Sequence, residues 1–349
     1  MDGSLPQGLD RASAVAFADA AEKQGLAALL DDALGRMGSP WGGDVLQQLR
    51  QSHRANLAAS LRRLDLAGRV LHLLQAAGLR ALPLKGAAVA ETLYESPAHR
   101  PMADVDVLVL DDWPEALTTL VAGGYTVSQH ADHAVCLVDP ASGDPVELHH
   151  SVTSCPGLFP MDARGLWDRR RSATGQVPWL PDPTDTLIML AQHAVFQHGF
   201  ALRLGQYLDI RRLLEQGAWE ADALLDRADR ARASGCLGLA LTAAEALVGG
   251  CVPEQLRDAL LARTTRGQRQ LISRLTDWPD RYLEQALPSL ARVRWEVSAG
   301  QRARLLYLTL APRRGPGPDS ASTRLRRWLQ ALPRAVSLAL RTLGRGDHT

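Results

Sequence analysis

Two aspartates in the stretch ADVDVLVL, Asp104 and Asp106, carry the strongest chemical signal in this sequence. They alternate with Val105, Val107 and Val109. That is the period of a strand, on which residues i and i+2 point to the same side. Two carboxylates held side by side repel unless a cation or a proton comes between them. Hard oxygen donors of this kind suit Mg²⁺, which takes one or two protein carboxylates and completes its octahedron with water and phosphate oxygens. A bare Asp-x-Asp on an edge strand would only face solvent, so the argument rests on its company. Glu147, in VELHH, shares an alternating face with His149 and supplies a third carboxylate if its strand pairs nearby. Three acids on one face can hold two metals, or one metal and a general base.

Upstream, LPLKG reads as a strand running into a helix, with Gly86 and Ala87 at the turn. Backbone N–H groups at such a helix start bind phosphate, and a glycine lets it come close. Of the 39 basic residues only Lys23 and Lys85 are lysines. An ammonium is a compact point charge on a flexible stem, whereas a guanidinium is a planar fork, so a lysine kept at this turn fits a phosphate seat. Arg100, in the loop before the two aspartates, is a candidate for pairing with an acid.

The elements that must position these groups form an α+β pattern. Residues 11–36 have helical spacing, and 43–77 read as one long amphipathic helix with Gly78 as its stop. A short buried strand follows at LRALPLKG, then a helix over AAVAETLYE, the strand with the two aspartates, and a helix over DWPEALTTLVAGG with Pro114 in its first turn. YTVSQ, HAVCLVD and PVELHHSV read as strands, the last two joined by a short polar turn as an antiparallel hairpin. From residue 184 onward helices are expected near 184–198, 205–216, 219–233, 236–249, 253–263, 299–310 and 322–343. The domain division that follows is an N-terminal helical segment at 1–78, a core with a small mixed sheet at 79–180, a helical domain at 181–311, and a linker with a basic C-terminal helix at 312–349.

Composition narrows the function classes. A net charge of +1 supplies no global field for nucleic acid, and none is expected as a partner. Cys136, Cys155, Cys236 and Cys251 form no C-x-x-C pair and have no zinc spacing with His, so free thiols in a reducing cytoplasm are expected. No leader and no spanning helix is evident. The tail carries Arg324, Arg326, Arg327, Arg334, Arg341 and Arg345 beside an apolar stripe interrupted by Pro333. Such a helix packs on its own domain through the stripe, or lies on an anionic membrane or a protein partner.

LPLKGAAVAETLYESPAHRPMADVDVLVL followed by VELHHSV resembles the nucleotidyltransferase superfamily that includes DNA polymerase beta and the antibiotic nucleotidyltransferases. More narrowly, the chain is similar to a bacterial family of uncharacterised nucleotidyltransferases. That likeness extends to the long helix before LPLKG, to DTLIMLAQHAVFQHGFALRLGQYLDIRRLL and to the Arg-rich end, so it covers most of the chain. The resemblance implies that Asp104, Asp106 and Glu147 hold two Mg²⁺ ions and that Gly86 marks the phosphate-binding turn. Lys85, Ala87, Arg100 and His149 would complete the nucleotide seat. The implied reaction is attack of an acceptor hydroxyl, on a small molecule or peptide, at the α-phosphate of a nucleoside triphosphate such as ATP, with release of pyrophosphate. The superfamily has Gly-Ser where this chain has Gly86-Ala87. That departure keeps a second reading open, a lapsed enzyme serving as a nucleotide- or partner-binding module. A third, a sugar-nucleotide glycosyltransferase, would place a larger sheet before the aspartates, where this chain reads as helices. The narrower family also shows His193 and Asp209, without a role for either.

Overall fold

The computed structural model describes residues 10–269 except 38–40, 132, 154–157, 201, 251 and 267. The helices expected at 299–310 and 322–343, and the segment at 312–349, lie outside the described residues. So do Cys155 and Cys251; Cys136 and Cys236 are free thiols.

The chain opens with α1 (Arg11–Lys23), capped by the Asp10 carboxylate accepting from the Ser13 N–H, and α2 (Ala27–Met37). Gly25 parts them with a left-handed φ of +73°. The long helix α3 (Gly43–Ala76) ends where glycine predicts, at Gly78 with φ +79°. Its early turns pack on α1 and α2 through Ala18, Leu34, Val45 and Leu49. Its late turns lay Leu64, Leu71 and Leu74 over a sheet. One helix therefore joins two separate apolar cores.

That sheet begins with β1 (Ala81–Pro83), followed by the single-turn helix α4 (Lys85–Val89) and a 3-10 turn at Pro97–His99. Then come β2 (Val105–Val109), α5 (Trp113–Ala122), β3 (Thr126–His130), β4 (Ala134–Val138) and β5 (Pro145–His149). The order is β1-β2-β5-β4-β3. β2 runs parallel to β5 and every other pairing is antiparallel, so the sheet is mixed and β4–β5 form the expected hairpin. All five residues of β2 are buried, which places it at the centre of the core.

Two elements had no sequence signal: α6 (Ala163–Asp168) and a two-stranded ribbon of β6 (Arg171–Ser172) with β7 (Trp179–Leu180). The helices α7 (Pro183–Ala191), α8 (Leu204–Gln216), α9 (Ala221–Arg230), α10 (Ser234–Val248) and α11 (Glu254–Ala262) then follow near their expected places. α7 runs on into a π-helical stretch, Gln192–Gln197. Leu187, Phe196, Tyr207 and Leu237 form the core of this half, and Val89 and Leu93 join it from the segment after β1. The helix expected over AAVAETLYE is one turn long, because the chain turns after Ala90 and sends Tyr94 to α8, where its hydroxyl donates to Asp209. Among the described residues no helix is long and apolar enough to cross a membrane.

Candidate functional site

The parallel register of β2 and β5 sets Asp106 directly against Glu147. Neighbouring strands bring paired residues to the same face, so the two carboxylates meet. Between them stand an ammonium and an imidazole. Lys85 Nζ donates to Asp106 Oδ1 at 2.7 Å and lies 3.9 Å from Glu147 Oε2. His149 Nε2 lies 2.8 Å from the same Asp106 oxygen and 3.3 Å from Glu147 Oε2. The pattern Glu147-x-His149 on one strand is what puts acid and imidazole on a single face.

The charges in this cluster hold one another. Burial opposes ionisation of Asp106, but the Lys85 ammonium and the His149 hydrogen bond outweigh it and hold the carboxyl well below its usual range. Burial likewise works against a charge on His149, and the two carboxylates overcome it and raise its proton affinity. Glu147 is lowered chiefly by its bond to His149. Lys85 is raised despite burial, by Asp106 foremost.

Asp104 sits in the bend just before β2, not in the strand, and is half-buried. Burial first, then the charges of Asp106 and Glu147, push its carboxyl up to about 6. All three expected acids thus share one electrostatic neighbourhood, and the third is short of counter-charge. The chemistry of the donor set fits a hard divalent cation: three carboxylates, one of them with its proton affinity raised by burial and by its acidic neighbours. Asp106, Glu147 and His149 also offer ligand atoms all within 4.8 Å of one another.

The turn at Lys85–Gly86 departs from the simple picture. The left-handed residue is the lysine, with φ +48°, a conformation that costs a non-glycine residue about 1 kcal/mol or more. That twist follows β1 and carries Nζ across to β2. The space a Gly86 side chain would need is taken by Met102, whose Cγ lies 2.5 Å from where a Cβ would stand. Gly86 therefore has a packing reason to be glycine, and Ala87 beside it is buried. α4 is only one turn long, and Lys85 is the one charged side chain it carries.

Arg100, expected to balance phosphate charge or pair with an acid, is turned away to Asp209. Its Nε donates to both carboxylate oxygens at 2.9 and 2.7 Å, and Nη1 donates to the Pro101 carbonyl at 2.8 Å. Tyr94 Oη donates to the same carboxylate at 2.6 Å. Asp209 is fully buried and thereby gains a role: it anchors the segment that leads into Asp104 and Asp106.

Histidines complete the surroundings. His193 lies in the π-helical stretch, buried, its ring 4.3 Å from that of His198. Burial, then the Lys85 charge, keep it well below its usual range and so neutral. It lines a small cavity with Lys85, Val152 and Met189. His133 was not expected in the site. Its ring stands 5.3 Å from His149, and burial followed by the His149 charge lowers it to about 4. The one sequence cue was its place just before β4, opposite the His-His end of β5. The Nδ1 atoms of His133 and His149 are buried with no hydrogen-bond partner among the described residues. Past the end of β5, a cavity of about 230 Å³ is lined by residues that include Ser151, Phe159, Met161, Arg169, Asp185 and Arg227. It shares Val152 and Met189 with the small cavity beside Lys85.

Residues 11–249 match the model of a family described as uncharacterised nucleotidyltransferase. No curated protein matches the chain. Among solved structures, it is similar to an antigenic nucleotidyltransferase-like protein from Paracoccidioides brasiliensis, with 20% identity and a TM-score of 0.32. That match covers 50% of this chain and 93% of the other.

Proposed function

The chain belongs to the family of uncharacterised nucleotidyltransferases, and from that premise we propose that it moves a nucleoside monophosphate from a nucleoside triphosphate, ATP in the first instance, to the hydroxyl of an acceptor. The observation that carries this reading is the cross-strand pairing of Asp106 with Glu147, with Lys85 and His149 shared between them. Asp104, Asp106 and Glu147 are the residues that would hold magnesium. Bound there, magnesium supplies charge neutralisation to the phosphates and favours both the entering and the departing oxygen.

The chain's own residues do the rest. Lys85 carries a buried positive charge on a flexible stem and can exchange a carboxylate for a phosphate oxygen. His149, fixed between two acids that raise its proton affinity, favours the ionised forms of Asp106 and Glu147. Glu147, the more exposed of that pair, accepts the acceptor's hydroxyl proton at a carboxylate oxygen. The cavity beyond β5 offers the acceptor an apolar wall of Phe159 and Met161 and a charged wall, where Arg169 donates to Asp185 at 2.8 Å.

The test is pyrophosphate release by the full chain with each nucleoside triphosphate, Mg²⁺ and a metabolite extract as acceptor source, followed by mass spectrometry for a nucleotide-sized adduct. Release that is lost in Asp106→Asn and Glu147→Gln is expected. A second reading, nucleotide binding without transfer, is favoured by the Lys85–Asp106 ion pair, which balances charge within the site, and by Ala87. Tight triphosphate binding with no pyrophosphate from any extract would select it.

A further inference from the structure

A second cluster of histidine and aspartate lies outside the acid-pair site. Asp31 and Asp32 on α2, His53 on α3 and His99 in the 3-10 turn converge from three separate stretches of chain. His99 Nε2 lies 2.6 Å from Asp32 Oδ2. His53 Nδ1 lies 2.9 Å from Asp31 Oδ2 and 3.6 Å from Asp32 Oδ1. His99 is only 3% exposed, and ligand atoms of Asp32, His53 and His99 all fall within 4.8 Å of one another.

We propose that Asp32, His53 and His99 hold a structural zinc ion, with Asp31 beside His53 as the nearest further donor. Two imidazoles facing carboxylates are a donor set for borderline metals, of which zinc is the common tetrahedral one, and not for magnesium or calcium. With metal–ligand distances of about 2.0–2.1 Å, neighbouring donors of a tetrahedral zinc stand roughly 3.3 Å apart. The observed separations of 2.6, 2.9 and 3.6 Å bracket that value. Asp32 divides its two oxygens between two rings, and the 3.6 Å gap to His53 is too long for a hydrogen bond. A metal closes that gap, taking the place of the protons at His53 Nδ1 and His99 Nε2, which pass to solvent. Among the described residues, the guanidinium that pairs with these carboxylates is that of Arg50, which reaches Asp31 only at 4.0 Å, so the two carboxylates have little fixed counter-charge. Three ligands from three separate stretches of chain, with Asp31 Oδ2 beside the fourth position, mark the site as structural. Its effect is to pin α2 and α3 to the turn that runs straight into Arg100 and the segment before Asp104.

The full chain, stripped with a chelator and dialysed against Zn²⁺ in excess Mg²⁺, is assayed for bound zinc by atomic emission. About one zinc per chain is expected in the wild type and in Glu147→Gln, and none at this site in His53→Gln. Co²⁺ in its place gives the visible absorption of tetrahedral cobalt, lost in His53→Gln and kept in Glu147→Gln. If His53→Gln does not fold, Asp32→Asn, whose side chain is 31% exposed in the wild type, must lose the same zinc. Zinc absent from the wild type, retained by these variants, or lost in Glu147→Gln overturns the proposal. None of these results depends on nucleotidyl transfer.

Discussion

Asp106 and Asp209 are both sealed carboxylates, 3% and 0% exposed, and they are held in opposite ways. Asp209 is gripped by the rigid guanidinium of Arg100 through both oxygens and by a tyrosine hydroxyl. Asp106 is held by an ammonium and an imidazole, through a single oxygen. A guanidinium held by Asp209 at Nε and by the Pro101 carbonyl at Nη1 costs much to displace. A point charge on a flexible stem, and a ring that can lose its proton, can yield to a cation or a phosphate. Burial alone thus does not separate structure from chemistry; the exchangeability of the partners does. The two centres are linked, because the Arg100 segment delivers the chain to Asp104 and Asp106.

The contrast can be broken most sharply through activity. Asp106→Asn should lower transfer by about 10³-fold or more, while its melting temperature falls less than that of Asp209→Asn. Glu147 remains within 3.9 Å of Lys85 and 3.3 Å of His149 and keeps both cations partnered. Parallel rate and melting measurements check this, and the contrast fails if the Asp106 variant is the less stable of the two. Asp209→Asn strands a buried guanidinium and should cost about 3–5 kcal/mol of stability, read by urea unfolding. A cost near zero would show that Arg100 finds another partner, and would undo the anchoring role.

The smallest effect comes from Asp104. Its folded-state value of about 6 lies above the ordinary 3.8. The folded state therefore holds the proton more tightly, and this contribution to stability is lost as pH rises from about 4 to about 6. In chelated protein the difference should be about 1–2 kcal/mol after allowance for partial exposure. It should be absent in Asp104→Asn and offset by Mg²⁺ above pH 6. Melting curves of the two proteins across that range test it, and identical pH dependence would show that Asp104 does not feel the other acids.

What could be read from the sequence follows the same divide. The acids were legible because strand alternation is local: Glu147-x-His149 fixes a shared face whatever surrounds it. The helix stops at Gly78, and the hairpin before Pro145 was equally local. The Arg100–Asp209 pair spans 109 positions, and no spacing rule reaches that far. Arg100 therefore stood open between a phosphate, as the resemblance implied, and an acid that could not be named. The left-handed twist at Lys85 escaped notice because nothing in a lysine announces it. Asp104 was placed inside the strand because alternation does not reveal where a strand begins. His133 and the zinc-type cluster depend on tertiary convergence, as does the short ribbon of β6 and β7, whose two-residue strands carry no periodicity.

The central claim is that Asp106 and Glu147 together grip a divalent cation that serves a nucleotide. Electron paramagnetic resonance of Mn²⁺ added with a non-hydrolysable triphosphate tests it directly, in a His53→Gln background that removes the distant cluster. The account predicts tight nucleotide-dependent Mn²⁺ binding that Asp106→Asn and Glu147→Gln each weaken by at least about tenfold. Equal Mn²⁺ affinity in all three proteins would contradict it.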